Sequence, residues 1–353
     1  MKIPFPSSQR GIALIVVMVA IFVLSILAGA FAYSMKVESK LAMNANNQAD
    51  LEWIGRSGVE YARWILGQEM SCPYDSLNQK WAGGPGGTCD TNGPLVDATL
   101  KDFHVGTGGG VFNLTITDLE RKVNVNTADQ PTLDQAMRVI GADATEGPAI
   151  ADGILDWIDR DDSPHNNGAE SDYYEGLTPP YEAKNGPIDD ISELLLIKGI
   201  RDNPEIYSTE YGNVERVDRF GNPLPPHEYA AHLKDVFTPI STGRININTA
   251  DSIVLQMIPG VDEAIAEQII RIRSGPDGAS GTDDDTPFAS VGELASAGLP
   301  QTMAPQLGRY CTVRSSTFEV QVDAQIGGSK QTYYAILGRN NQRDIQILSF
   351  YPK

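Results

Sequence analysis

The sequence predicts an α+β fold in which a long N-terminal helix packs on an antiparallel sheet and a large all-α insertion divides the strands of that sheet. Three observations carry this. Residues Gly11 to Met35 form an uncharged, proline-free apolar run bounded by Arg10 and Lys36. Alternating apolar and polar residues mark strands in two separate blocks, one before Asn126 and one after Arg309. Residues 127–309, between the blocks, are helical in pattern.

The apolar run is long enough to cross a membrane, because a hydrocarbon core of ~30 Å needs about 20 residues in a helix, the structure that satisfies every backbone amide internally. Lys2 and Arg10 precede it with no acid between them, so the positive-inside tendency leaves the N-terminus in the cytoplasm and the body across the membrane. Ala30-Phe31-Ala32 also fits a signal-peptidase site, the mark of a segment discarded on export. Against that reading, the helical pattern continues through Leu51, Ile54, Gly58, Tyr61 and Ile65 to Gly67, a rod roughly 80 Å long.

Phe112–Thr117 and Lys122–Asn126 alternate as strands. Phe318–Asp323, Thr332–Leu337 and Asp344–Tyr351 do so at the other end of the chain, so the two blocks read as one interrupted sheet. Within the insertion, helices are expected over Gln130–Ile140, with Pro131 in its first turn, over Pro148–Ile158, and over Ile188–Ile197. The phrases Val123-Asn-Val-Asn-Thr-Ala-Asp129 and Ile245-Asn-Ile-Asn-Thr-Ala-Asp251 each end on a helix-capping residue, which marks a small internal duplication.

The short basic leader ending in Arg10-Gly11, followed at once by Ile12-Ala-Leu-Ile-Val-Val17 and a helix leaving the membrane, resembles the type IV prepilins and type II secretion pseudopilins. The resemblance implies that prepilin peptidase cuts after Gly11, leaving Ile12 as the mature, methylated N-terminus. Most members carry glutamate at the fifth mature position, where this chain has Val16. A carboxylate in lipid is costly without a cationic partner, and the minor pseudopilin K, placed at the filament tip with no subunit above it, is the member that lacks one. On that likeness the chain divides into a leader (1–11), a transmembrane half-helix (12–35), a pilin-like body (36–126 and 310–353) and the helical insertion (127–309).

The net charge of -19 argues against nucleic acid or anionic headgroups as main partners. Cys72 and Cys89 flank a Gly/Pro-rich loop and, in an exported chain, could form a bridge stabilising by about 3 kcal/mol, with Cys311 left over. Three unrelated thiols are the alternative.

The segment richest in chemistry runs from Asp156 to Tyr174, where six carboxylates fall within seventeen positions and Arg160 alone cannot balance them. A hard divalent cation can, and calcium accepts six to eight oxygens in a flexible loop, although the spacing is not that of an EF-hand. Asp-Trp-Ile-Asp159 followed by Gly-Ala-Glu170 and Tyr-Tyr174 resembles the hallmark of the K pseudopilins, which implies Ca2+ in this domain. Asp159, Asp161, Glu170 and Asp172 are the expected ligands, with Asp156 and Asp162 as further candidates. His165 reads as a loop residue. A second acidic loop supplies Asp277, Asp283 and Asp285 as another candidate set, or is simply a solvated linker.

Leu255–Arg271 resembles a helix-hairpin-helix, the phosphate-holding module of the membrane-anchored DNA receptors of competence systems. Here the hairpin glycine is followed by Val261, Asp262 and Glu263, and carboxylates at those amides repel phosphate. No nucleophile and base pair accompanies the acidic residues, so catalysis is not expected. The expectation is a non-enzymatic minor pseudopilin in the bacterial inner membrane with its body in the periplasm. It would assemble with other minor pseudopilins at the filament tip to initiate assembly and aid export.

Overall fold

The computed structural model describes residues 10–87, 89, 93–106, 109–211, 228–297 and 304–353. Most of the expected leader, including Lys2, lies outside them. Helix α1 (Arg10–Gln68) runs for 59 residues without interruption, about 90 Å at 1.5 Å per residue. Among the described residues it is the one helix long and apolar enough to cross a membrane. Its side chains from Ile12 to Tyr33 are exposed, whereas Leu51, Ile54, Val59, Ala62, Ile65 and Leu66 are buried.

That buried stripe lies on a five-stranded antiparallel sheet of β1 (Phe103–Val105), β2 (Gly110–Asp118), β7 (Thr317–Ile326), β8 (Ser329–Asn341) and β9 (Asp344–Pro352), in that spatial order. Phe112, Leu114 and Ile116 alternate inward on β2, as do Phe318, Val320 and Val322 on β7 and Tyr333, Ala335 and Leu337 on β8. Helix and sheet approach closely because α1 presents Gly55 and Gly58 to them. A Cβ there would sit 2.5 Å from the Tyr333 ring and 2.5 Å from Val322 Cγ1, respectively. β2 and β7 pair from Gly110↔Ile326 to Asp118↔Phe318, so residues 119–316 form an excursion from adjacent strands. Cys72 and Cys89 are disulfide-bonded, with Cα atoms 5.7 Å apart.

The excursion is a second unit with its own core. β3 (Val123–Asn124) leads to α2 (Gln130–Ile140), α3 (Glu146–Ile158) and α4 (Ser171–Glu175). After a 3-10 helix at Ile191–Leu196 come α5 (Leu233–Val236) and β4 (Phe237–Thr238), which pairs parallel to β3. The second pass holds β5 (Ile245–Asn246), α6 (Ser252–Gln256), α7 (Glu263–Arg273), a 3-10 helix at Val291–Ala297, α8 (Ala304–Tyr310) and β6 (Cys311–Thr312), which pairs parallel to β5. Cys311 is buried and free, and burial pushes its thiol up to about 12.

The repeated phrase works the same way twice. Asp129 and Asp251 accept from the amides of Thr132 and Val254, capping α2 and α6. Asn126 clasps the N–H and C=O of Ile188, and Asn248 clasps those of Phe288. This corrects the strand expected at Lys122–Asn126. Only Val123 and Asn124 pair, in the helical unit and apart from the large sheet. The polar alternates Asn124 and Asn126 are spent on neighbouring backbone, so the two-residue period records carbonyl capture inside a core.

Candidate metal site

The acidic loop begins on the last turn of α3. Asp152 and Asp156, one turn apart, hold the returning chain. Asp152 Oδ2 accepts from Asn167 N at 3.0 Å and Asn167 Nδ2 at 2.9 Å. Asp156, fully buried, accepts from His165 N at 3.0 Å and pairs with the His165 ring through Nδ1. The chain can pass this close only because Gly168 has no side chain, since a Cβ would fall on the Asp156 carboxylate. Lys198 Nζ then fastens the Gly168 carbonyl at 2.9 Å.

This return brings Asp159, which caps the C-terminus of α3, against Asp161 and Glu170, with one oxygen from each within 4.8 Å of the others. Asp156, Asp159 and His165 form an overlapping group on the same measure. Both Glu170 oxygens and Asp159 Oδ1 are buried without a hydrogen-bond partner. Asn185 Oδ1 is buried and unpartnered as well, on a residue held in the left-handed region at φ 48°. Its Nδ2 donates to Asp162 Oδ1 at 2.9 Å. Burial and the charges of Asp156, Asp159, Asp162 and Asp161 push Glu170 up to about 7. Burial and the same kind of crowding raise Asp159. The hydrogen bond that its ring donates to Asp156 raises His165, despite the opposing effect of its burial.

Orphaned, mutually repelling carboxylate oxygens are what an oxygen-seeking cation would satisfy, so the residues present fit such an ion. Asp172 is not among them, because it projects from α4 into solvent, outside both groups. Reasoning from sequence missed the part played by His165, Gly168 and Asn185. The signals were a glycine in an acidic turn and an asparagine before Gly186.

The second acidic loop is arranged differently. Asp277 Oδ1 accepts from Ala279 N, Asp284 Oδ2 from Asp277 N and Asp285 Oδ2 from Gly281 N, while Asp283 is exposed. Among the described residues no potential ligand group forms there. In the neighbouring hairpin, Asp262 accepts from Ile265 N at 2.9 Å, placing a carboxylate where a phosphate would have to sit.

A half-exposed apolar rod laid on an antiparallel sheet, with a helical unit inserted between adjacent strands, defines a pilin-like α+β protein. Residues 110–208 match the family model described as type II secretion system protein K. The chain is 23% identical to the type II secretion system protein K of Pseudomonas aeruginosa, across 97% of this chain and 92% of that one. It is also 23% identical to that of Aeromonas hydrophila, across 97% of each. The structure resembles a chain in the GspK-GspI-GspJ complex of the enterotoxigenic Escherichia coli type 2 secretion system, with a TM-score of 0.63 and 18% identity over 88% of this chain and 99% of that one. Along nearly its whole length, then, the chain is similar to type II secretion system protein K of other bacteria.

Proposed function

We propose that this chain is a non-enzymatic minor pseudopilin at the tip of a type II secretion pseudopilus, anchored in the inner membrane by α1. The observation that carries the reading is the continuity of α1: the exposed apolar half and the half packed on the sheet are one helix, so the anchor is built into the body. Prepilin peptidase would trim the chain between Gly11 and Ile12, and the exposed apolar half would pack beside the helices of two or three other minor pseudopilins, with small residues Ala28, Gly29 and Ala30 allowing close approach.

The tip placement has a geometric argument. Asp118 and Thr317, where the insertion leaves and rejoins the sheet, lie at the end of the body reached by the end of α1, since Arg339 donates to the carbonyls of both Leu66 and Ser315. The helical unit therefore stands at the membrane-distal end, where its bulk would obstruct a further subunit. Val16, in place of the glutamate usual in the wider family, leaves no buried carboxylate that needs such a neighbour.

In the helical unit, Asp159, Asp161 and Glu170 would hold a calcium ion, with Asp156 fixing His165 beside them. When bound, the ion would neutralise the crowded carboxylates and tie the loop together. Co-expression with the other minor pseudopilins tests the reading. Recovery of a stoichiometric membrane complex is expected, and a lone soluble chain would contradict it. A salt-dependent gel shift on DNA would favour the receptor reading.

A further inference from the structure

Residues 183–188 come back to the acidic loop and are fastened to it at three points, each close to a carboxylate of the candidate site. Ala183 N donates to Ser171 Oγ at 3.2 Å, next to Glu170. Gly186 N donates to the Trp157 carbonyl at 3.4 Å, on the turn of α3 that ends at Asp159. Asn185 Nδ2 donates to Asp162 Oδ1 at 2.9 Å, next to Asp161. From the other side, Lys184 Nζ pairs with Asp189 at 2.6 Å and Glu193 at 2.8 Å, and Asn126 holds both the N–H and the C=O of Ile188. Asn185 therefore reaches the carboxylates from a separate segment of chain that is tied in place beside them.

The two ends of its amide have different surroundings. An ionised carboxylate only accepts, so Nδ2 is the atom that meets Asp162 and the carbonyl oxygen is the one left over. That oxygen is buried with no hydrogen-bond partner, as are Asp159 Oδ1 and both Glu170 oxygens. Leaving a buried carbonyl without a donor is costly. The backbone adds to the cost, because Asn185 is held at φ 48°, a left-handed conformation that Asp102 alone shares among the described residues other than glycine. An acceptor that its own chain leaves unmet, on a backbone held in a sparse conformation, points to something bound that completes it.

We propose that Asn185 Oδ1 is a further ligand of the cation, a neutral oxygen added to those of Asp159, Asp161 and Glu170. The proposal rests on the calcium reading of this loop. Calcium accepts asparagine carbonyls beside carboxylates, and the three carboxylates already outweigh its charge. A fourth acid would add repulsion where an amide adds only a donor oxygen. Held by both segments, the ion would close the loop after α3 against residues 183–188.

Calorimetric titration of the full chain with calcium tests this, with Asn185→Gly and Asn185→Asp as the variants. Both lose the donor to Asp162 and both tolerate positive φ, but only aspartate keeps an oxygen at the position. Asn185→Gly should weaken binding by about tenfold or more, and Asn185→Asp should recover most of that loss. Unchanged binding in Asn185→Gly would overturn the proposal. So would equal losses in the two variants, which would leave Asn185 acting only through its bond to Asp162. An unaltered chain that binds no calcium would remove the calcium reading itself, and this ligand with it. If Asn185→Gly fails to fold, amide exchange of Ala183 and Gly186 in the unaltered chain decides. Saturating calcium should slow both by about tenfold or more, and unchanged exchange would refute the ligand.

Discussion

The two acidic loops of the helical unit occupy matching places in the internal duplication and have similar compositions, yet their carboxylates are employed in opposite ways. In the loop after α7, glycines at positive φ turn backbone amides onto Asp277, Asp284 and Asp285, so those carboxylates already have donors. In the loop after α3, the chain is pinned from below by Asp152 and Asp156, and Asp159 Oδ1 and both Glu170 oxygens are left buried with no donor. Acid content does not distinguish a cation site from a self-capped turn. Unmet acceptors do.

The largest expected effect sets the loops apart directly. Asp159→Asn or Glu170→Gln should weaken calcium binding by about a hundredfold or more, beyond the loss typical of residues that merely support a ligand. Asp285→Asn should change it by less than about twofold, and calorimetric titration with calcium reads both. Equal losses in the two loops would erase the distinction.

Gly168→Ala sharpens it by acting on the scaffold. The added methyl collides with the Asp156 carboxylate, so destabilisation of about 1–3 kcal/mol by chemical denaturation should accompany weaker calcium binding.

A pH series gives a third test. Glu170 stands near 7 in the folded chain without calcium, against 4.5 unperturbed, so the folded state holds an extra proton between these values. Its contribution to stability is greatest below the lower value and is lost as pH rises toward the upper one. On the proposed reading, calcium would have to displace that proton. The rise in melting temperature on adding calcium should therefore grow from about pH 5 to about pH 7 and then level off. A constant rise would remove Glu170 from the site.

The smallest effect lies in the second loop. Asp285→Asn should cost about 1 kcal/mol of stability through the weakened hold on Gly281 N, with or without calcium.

Much of this architecture was legible in the sequence because it rests on local periodicity. The α1 apolar run, the strands around Phe112 and Phe318, and the Asp129 and Asp251 caps each declare themselves within a few residues. The acidic cluster was visible too, as a concentration of charge. Its internal geometry was not, because it depends on a chain reversal over Gly168 that buries Asp156 and turns Asp172 outward. The role of Asn126 was hidden for the same reason, since its partner Ile188 lies 62 positions away.

A filament subunit must keep α1 whole, and the mass of the N-terminal peptide of the chain isolated from membranes tests that directly. A mature terminus at Ile12 is predicted, whereas one at Tyr33, after Ala30-Phe31-Ala32, would mean that the anchor is discarded and that the chain is not a filament subunit.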